Sequence, residues 1–205
     1  MSASGDGLER WSALAPSAGR LLVAATVLTE ETFRRSVVYL LEHDAGGTVG
    51  VVLNRPSRTP VGHVLPAWHD VVSDPGVVFT GGPVQPDGAL CLGLAVEVPA
   101  EHPAGTFGES GGLRQVTDGL CTVDLDGDVE QLSAMTTGLR VFAGHSGWAG
   151  GQLERELAEG SWFVVEGSPA DVFSESPDQL WRAVLARQPL PLRMLATYPD
   201  DPSRN

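Results

Sequence analysis

The sequence predicts a single α+β domain in which seven or so strands curl into a bent sheet or partial barrel, with helices packed outside. Two observations carry this expectation. Residues 35–53 read as strand, tight Gly-rich turn and strand, an antiparallel pair that argues against a purely doubly wound fold. The 205 residues contain no internal repeat and no domain-splitting linker, and a chain of this length suits one core.

Residues 1–18 read as a polar, loosely held tail without the basic-then-apolar pattern of a signal peptide. The domain is expected over 19–197, with 198–205 as a second tail. Its first strand is 19–26 (GRLLVAAT). Thr29 is placed to cap a short helical turn, with Glu30 and Glu31 favourable to its dipole. The strands 35–43 (RSVVYLLEH) and 48–53 (TVGVVL) flank the hairpin turn Asp44-Ala45-Gly46-Gly47. Thr59-Pro60 then opens a helix, and its apolar positions Val61, Val64, Leu65 and Trp68 follow i, i+3, i+4, i+7 spacing. Pro66 must kink or restart that helix.

Further strands are expected at 76–80, 89–96 and 121–125. Residues 99–112 form the one long loop, of a length that is usually functional or disordered. Asp128 and Gln131 resemble a capping box for a helix that buries Val129, Leu132 and Met135 and stops at Gly138. Residues 139–165 read as strand, Gly-rich turn at 144–148, amphipathic helix and strand. Ser176-Pro177-Asp178-Gln179 starts a last helix, whose buried stripe is Leu180, Trp181, Val184 and Leu185, with Pro189 after its end.

The charge balance removes whole reaction classes. Net charge is −13 and all 13 cations are Arg. Without Lys there is no Walker-type phosphate lysine, no Schiff base and no Lys general base. The acidity opposes direct nucleic-acid binding, which depends on neutralising phosphates. Arg34-Arg35 and Arg55/Arg58 are the nearest approach to a basic patch, and both read as solvated surface charge. No apolar run is long enough to span a bilayer, so no membrane association is expected. Cys91 and Cys121 read as buried, reduced core residues, which fits a cytoplasmic protein.

The segment 144–148 (GHSGW) offers small residues, an imidazole, a hydroxyl and an indole where a strand is expected to hand over to a helix. Ser146 matches the start of a G-x-S-x-G nucleophile elbow, but Trp148 occupies the position that needs Gly. No catalytic His follows Ser146 either, since the five His are 43, 63, 69, 102 and 145. A tight crossing built on Gly147, Gly150 and Gly151 is the favoured reading of this segment. Free N–H groups at a helix start near Gly147 would make it an anion site instead. Gly81-Gly82-Pro83-Val84 forms a fixed turn after a strand. Asn54-Arg55-Pro56 ends the 48–53 strand, where the Arg55 guanidinium can clamp an anion or pair with Glu42 or another carboxylate. No metal-ligand pattern appears, so neither metal nor cofactor is expected.

Several blocks together resemble the YqgE/AlgH family of bacterial proteins. They are 19–22 (GRLL), Phe33, Ser36-Val37, Glu42-His43, 50–56 (GVVLNRP), 81–84 (GGPV) and 144–156 (GHSGWAGGQLERE), continuing to Trp162. No single block is diagnostic, but their order and spacing over 19–187 jointly are. The resemblance implies an α+β pseudo-barrel made from a bifurcated sheet with helices around it. Members of unsettled biochemical activity include some labelled transcriptional regulators from effects on alginate production. The family pattern carries an aromatic, commonly Tyr, where this chain has His145.

The leading functional expectation is a cytoplasmic, non-enzymatic binding or regulatory module acting indirectly on gene expression, with an unknown protein or a small anionic ligand as partner. Its candidate ligand-binding residues are Asn54 and Arg55, the turn residues Gly81 and Gly82, the segment His145-Ser146-Gly147-Trp148, and Gln152. The alternative is an enzyme acting on a small anionic substrate in a pocket near Arg55, Gly82 and the Gly147 helix start, with His43 or His145 as general base. That alternative requires these segments to meet in one pocket.

Overall fold

A computed structural model describes residues 14–96 and 112–199. Most of the expected N-terminal tail, nearly all of the 99–112 loop with His102, and most of the C-terminal tail lie outside the described residues. Among the described residues the sheet has ten strands rather than seven.

The N-terminal run is β1 (Arg20–Ala24), β2 (Val37–Asp44) and β3 (Gly47–Val52), followed by β4 (Pro56–Pro60). A four-residue helix α1 (Val61–Val64) and a 3-10 turn at Pro66–Trp68 lead to β5 (Val77–Thr80) and the long β6 (Val84–Ala95). Strands β7 (Leu113–Thr117) and β8 (Leu120–Val123), helix α2 (Val129–Ala134) and the 14-residue β9 (Thr136–Ala149) follow. Helix α3 (Gln152–Ala158), β10 (Trp162–Glu166), α4 (Pro169–Val172) and α5 (Leu180–Ala186) close the domain.

The sheet runs β10-β1-β2-β3-β9-β6-β8-β7, all antiparallel, and curls into a half-barrel. It forks along β9. Residues 146–149 of β9 pair with β3, whereas Phe142 and Ala143 pair in parallel with β5, which in turn carries β4. The opposite edge of β9 pairs with β6 between Thr136 and His145, with two register shifts. The mixed, bifurcated sheet that the family resemblance implies is therefore present.

Both faces of the N-terminal strands are covered, which is why they read as continuous apolar runs rather than alternating ones. Leu21, Val23, Val37 and Tyr39 point into one core, against Leu180, Trp181, Val184 and Leu185 of α5. Leu22, Ala24, Val38 and Leu40 point into another, against Trp148, Leu153 and Trp162. A third core lies under α2 and contains the two unpaired cysteines. Burial pushes both thiols up, Cys121 to about 11, so neither is a ready nucleophile.

Two local expectations, the burial of Val64 and the stop at Gly138, are corrected. The Thr59-Pro60 helix breaks at Leu65, which leaves helical geometry (φ −134°, ψ 73°), and restarts at Pro66 as a 3-10 turn, as expected. Val61 and Trp68 still bury, but Val64 is 55% exposed. After Thr29 the expected short hydrogen-bonded turn forms, with Phe33 N–H and Arg34 N–H both donating to the Glu30 carbonyl, at 3.1 Å and 2.7 Å. Gly138 does not stop α2, which ends at Ala134, but lies inside β9 opposite Leu94.

The largest correction concerns 144–148, which is not a strand-to-helix turn. Strand β9 continues through it, pairing Ser146 with Gly50, Gly147 with Val49 and Trp148 with Thr48. The turn is Gly150-Gly151, where Gly151 takes φ +73° and a Cβ on Gly150 would stand 2.5 Å from the Ala45 carbonyl. Helix α3 starts at Gln152, so Gly147 has no helix-start amides to offer an anion.

Candidate functional site

The β2–β3 hairpin decides where charge gathers. Its register pairs Val38 with Val52 and Tyr39 with Val51, so the residues before β2 lie across from those after β3. Asn54, 5% exposed, locks that junction: its Oδ1 accepts from Val37 N–H at 2.9 Å and its Nδ2 donates to the Arg35 carbonyl at 2.8 Å. Arg34 and Arg35 are thereby set beside Arg55, although they lie 21 and 20 positions before it in sequence.

The start of α5 completes a cleft of about 590 Å³ at this junction. Arg34, Arg35, Arg55 and Arg182 line it, together with Thr29, Gln179, the carboxylates Glu31 and Asp178, and the edge of Trp181. The Arg55 guanidinium donates to the Asn54 carbonyl at 3.1 Å and to the Arg34 carbonyl. Its pKa falls below the ordinary arginine value, first through burial and then through the neighbouring Arg34 charge, against a smaller opposite effect of Asp178. Arg35 sits 4.8 Å over the Trp181 ring, and Arg182 donates to the Ala196 carbonyl at 2.6 Å. Among the described residues, the exposed Arg34 guanidinium makes no hydrogen bond or ion pair. Reading these arginines as separate solvated charges misses the cleft, because only the hairpin register brings them together.

The remaining candidates lie elsewhere. Gly81, Gly82, His145 and Ser146 form the fork of the sheet. The Gly81 N–H donates to Ala143, and its carbonyl accepts both Val52 N–H at 2.8 Å and the fully buried Ser146 hydroxyl at 3.1 Å. A Cβ on Gly82 would stand 2.3 Å from the His145 carbonyl oxygen. Desolvation lowers the His145 imidazole below its ordinary value. His43 is held by Thr48 at 2.8 Å and lies 3.6 Å from Glu154.

Trp148 and Gln152 belong to a clamp around Glu156, which is not among the candidate residues. Glu156 Oε2 accepts from the Trp148 indole at 2.9 Å and from the Trp162 indole at 2.8 Å. Its Oε1 accepts from the Gln152 amide at 3.0 Å, and Gln152 in turn caps Ala149 N–H. Phe33 packs against both indoles, with its ring centroid 6.2 Å from that of Trp148 and 5.5 Å from that of Trp162.

Arg55 thus lines the arginine cleft, while Gly147 and Trp148 line a different, more open cavity of about 380 Å³. Gly82 and His145 line neither. The single pocket needed by the enzyme alternative is not assembled from these residues. Glu42 is not available to Arg55 either, since it pairs with Arg114 at 3.3 Å.

One buried cation went unnoticed in the sequence. Arg140 of β9 is 1% exposed and pairs with no carboxylate among the described residues. Its guanidinium donates to the carbonyls of Val172 at 2.7 Å, Ser174 at 3.1 Å and Asp74, and stacks 4.4 Å from Phe79. Burial lowers its pKa to about 10. It ties two surface segments to the core, and nothing in an apolar-periodicity reading marks it.

With this geometry established, comparison with known proteins adds the kinship. A model of the AlgH-like family matches residues 21–193. The chain belongs to that family. Among its AlgH-like relatives, the UPF0301 protein SCO2948 of Streptomyces coelicolor is 51% identical over 189 residues, which cover 91% of this chain and 94% of that protein. A UPF0301 protein of Mycobacterium tuberculosis is 52% identical over 188 residues, covering 92% and 90%. The crystal structure of DIP2367 from Corynebacterium diphtheriae superposes with a TM-score of 0.79 at 34% identity, covering 90% of this chain and 94% of that one. The solution structure of AlgH from Pseudomonas aeruginosa gives 0.62 at 25% identity, covering 98% and 99%. These AlgH-like structures share the curled α+β half-barrel. Among the described residues no helix is long and apolar enough to cross a membrane.

Proposed function

We propose that the protein is a cytoplasmic, non-enzymatic binding module that takes a small anionic ligand in the arginine cleft, and that any influence on gene expression passes through that ligand or a protein partner rather than through DNA. One observation carries the reading: on a chain of net charge −13, four guanidinium groups from three separate segments line one cavity against two carboxylates. Guanidinium groups gathered on one cavity wall raise the local potential for anions, so such a cluster is a candidate anion site. The volume falls in the range of small-molecule sites. The overall acidity disfavours a polyanion as large as DNA.

The test is thermal denaturation with a panel of anionic metabolites on wild type and on Arg34→Ala. Arg34 is the better probe than Arg55, whose side chain also holds backbone carbonyls. A ligand at 100 times its dissociation constant adds about 2.7 kcal/mol, several degrees of midpoint for a domain of this size. A shift present in wild type and lost in Arg34→Ala is expected. A panel with no arginine-dependent shift, together with a stable complex with a protein partner, would overturn the small-ligand reading.

A further inference from the structure

Two of the arginines that line the cleft are already engaged by the chain itself. The Arg35 guanidinium donates to the carbonyls of Tyr198, at 3.1 Å, and of Pro199. Arg182 donates to the Ala196 carbonyl at 2.6 Å. One short segment, residues 196–199, is thus tied to the cleft wall twice, by Arg35 before β2 and by Arg182 on α5. The 3-10 turn Leu192–Thr197 delivers it there, with Leu192 buried and Leu195 and Ala196 packed against the first core. Arg35 is itself held 4.8 Å over the Trp181 ring.

What this segment carries next matters more than its attachment. Beyond Pro199 the sequence reads Asp200-Asp201-Pro202. Two carboxylates therefore follow directly on the carbonyl that Arg35 holds, and consecutive Cα atoms are only about 3.8 Å apart. A guanidinium bonds a carboxylate more strongly than it bonds a neutral carbonyl.

We propose that Asp200 and Asp201 are an internal competitor for the arginine cleft, so that an external anion binds by displacing the chain's own carboxylates. This rests on the anion-site reading above. The tether makes the competition effective, because a group on a short link acts at about millimolar effective concentration or above. Prolines at 199 and 202 bracket the acidic pair and restrict its backbone, so less entropy is lost when it seats. Linkage makes the effect reciprocal: an anion in the cleft frees the acidic pair, and a partner that captures the pair opens the cleft. A competitor seated about nine-tenths of the time lowers the apparent affinity of an external anion about tenfold.

Calorimetric titration of the full chain with inorganic phosphate, pyrophosphate and citrate tests this, wild type against Asp200→Asn/Asp201→Asn. Substitution is preferable to truncation, since a chain ending at Pro199 would set a new terminal carboxylate at Arg35. Asp118→Asn/Asp126→Asn removes the same charge from two exposed residues outside the cleft lining and controls for the general field. The tail variant should bind the tightest of the three probes about tenfold more tightly than wild type and the control variant do. In 15N-labelled wild type, saturation with that probe should lower the heteronuclear NOE of the 200 and 201 amides. Equal tightening in both double variants would reduce the effect to overall charge and overturn the competitor. Unchanged or weaker binding in the tail variant, with binding still lost in Arg34→Ala, would overturn it and leave the anion site standing. If no probe binds any variant in an Arg34-dependent way, the anion-site reading fails and the competitor falls with it.

Discussion

The Ser146 hydroxyl donates to the Gly81 carbonyl at 3.1 Å, with the serine fully buried and the same oxygen accepting Val52 N–H. The bond lies where the β3 and β5 branches diverge from β9. It makes Ser146 a staple of the fork and not a nucleophile. Since Gly81 keeps its second partner, Ser146→Ala should cost about 1 kcal/mol of unfolding free energy, measured by urea denaturation. Ligand binding at the arginine cleft should not change.

Glu156 is the acceptor for two buried indoles at once. Glu156→Ala strands both indole N–H groups and the Gln152 amide, with an expected loss of about 2–4 kcal/mol. Glu156→Gln keeps an oxygen for at least one indole and should lose less. Equilibrium denaturation followed by tryptophan fluorescence reads both, and equal losses would mean that the charge, not the hydrogen bonding, matters.

Close backbone approach separates two glycines of the chain. At Gly82 a methyl group would stand 2.3 Å from a main-chain oxygen of β9, whereas at Gly160 (φ +77°) it would meet nothing within 4 Å. Gly82→Ala should therefore cost more than about 3 kcal/mol or prevent folding, and Gly160→Ala about 1–2 kcal/mol from its left-handed backbone alone. Soluble yield and thermal midpoint of the two variants give the comparison.

His145 should make stability depend on pH. Desolvation lowers its pKa in the folded protein below the ordinary 6.5. The unfolded chain therefore binds the proton more readily, and the stabilisation from neutral His145 is full above the unfolded value and is lost as pH falls through the folded one. Between pH 7.5 and 5 the denaturation midpoint of wild type should fall more than that of His145→Gln. Parallel profiles would refute this.

Much of the fold was legible because strand boundaries coincide with turn chemistry: Asp44-Ala45-Gly46-Gly47 fixed the first hairpin, and the α5 stripe of Leu180, Trp181, Val184 and Leu185 is buried as its spacing required. The 144–148 segment misled, because glycines in a strand that is crowded by neighbours look the same in sequence as glycines in a turn. The arginine cleft was half legible. Arg55 and Asn54 stood out, and counting back from the hairpin turn places residue 35 within one position of the residue opposite 55. Arg182 and Asp178 reach the cleft only through the packing of α5, which no local pattern encodes. Glu156 was hidden for a similar reason, since its two indole partners come from β9 and β10.

The pairing of β9 with β3, β5 and β6 bears on how the chain is made. Translation delivers β3, β5 and β6 well before β9, so three strand edges emerge from the ribosome while their common partner is still unsynthesised. Until residue 149 has cleared the exit tunnel, those edges are open to pairing with other chains. Nascent chains arrested shortly before residue 136 should bind general chaperones far more strongly than chains released past α3, and slow passage through this window should lower the yield of folded protein without changing its final stability.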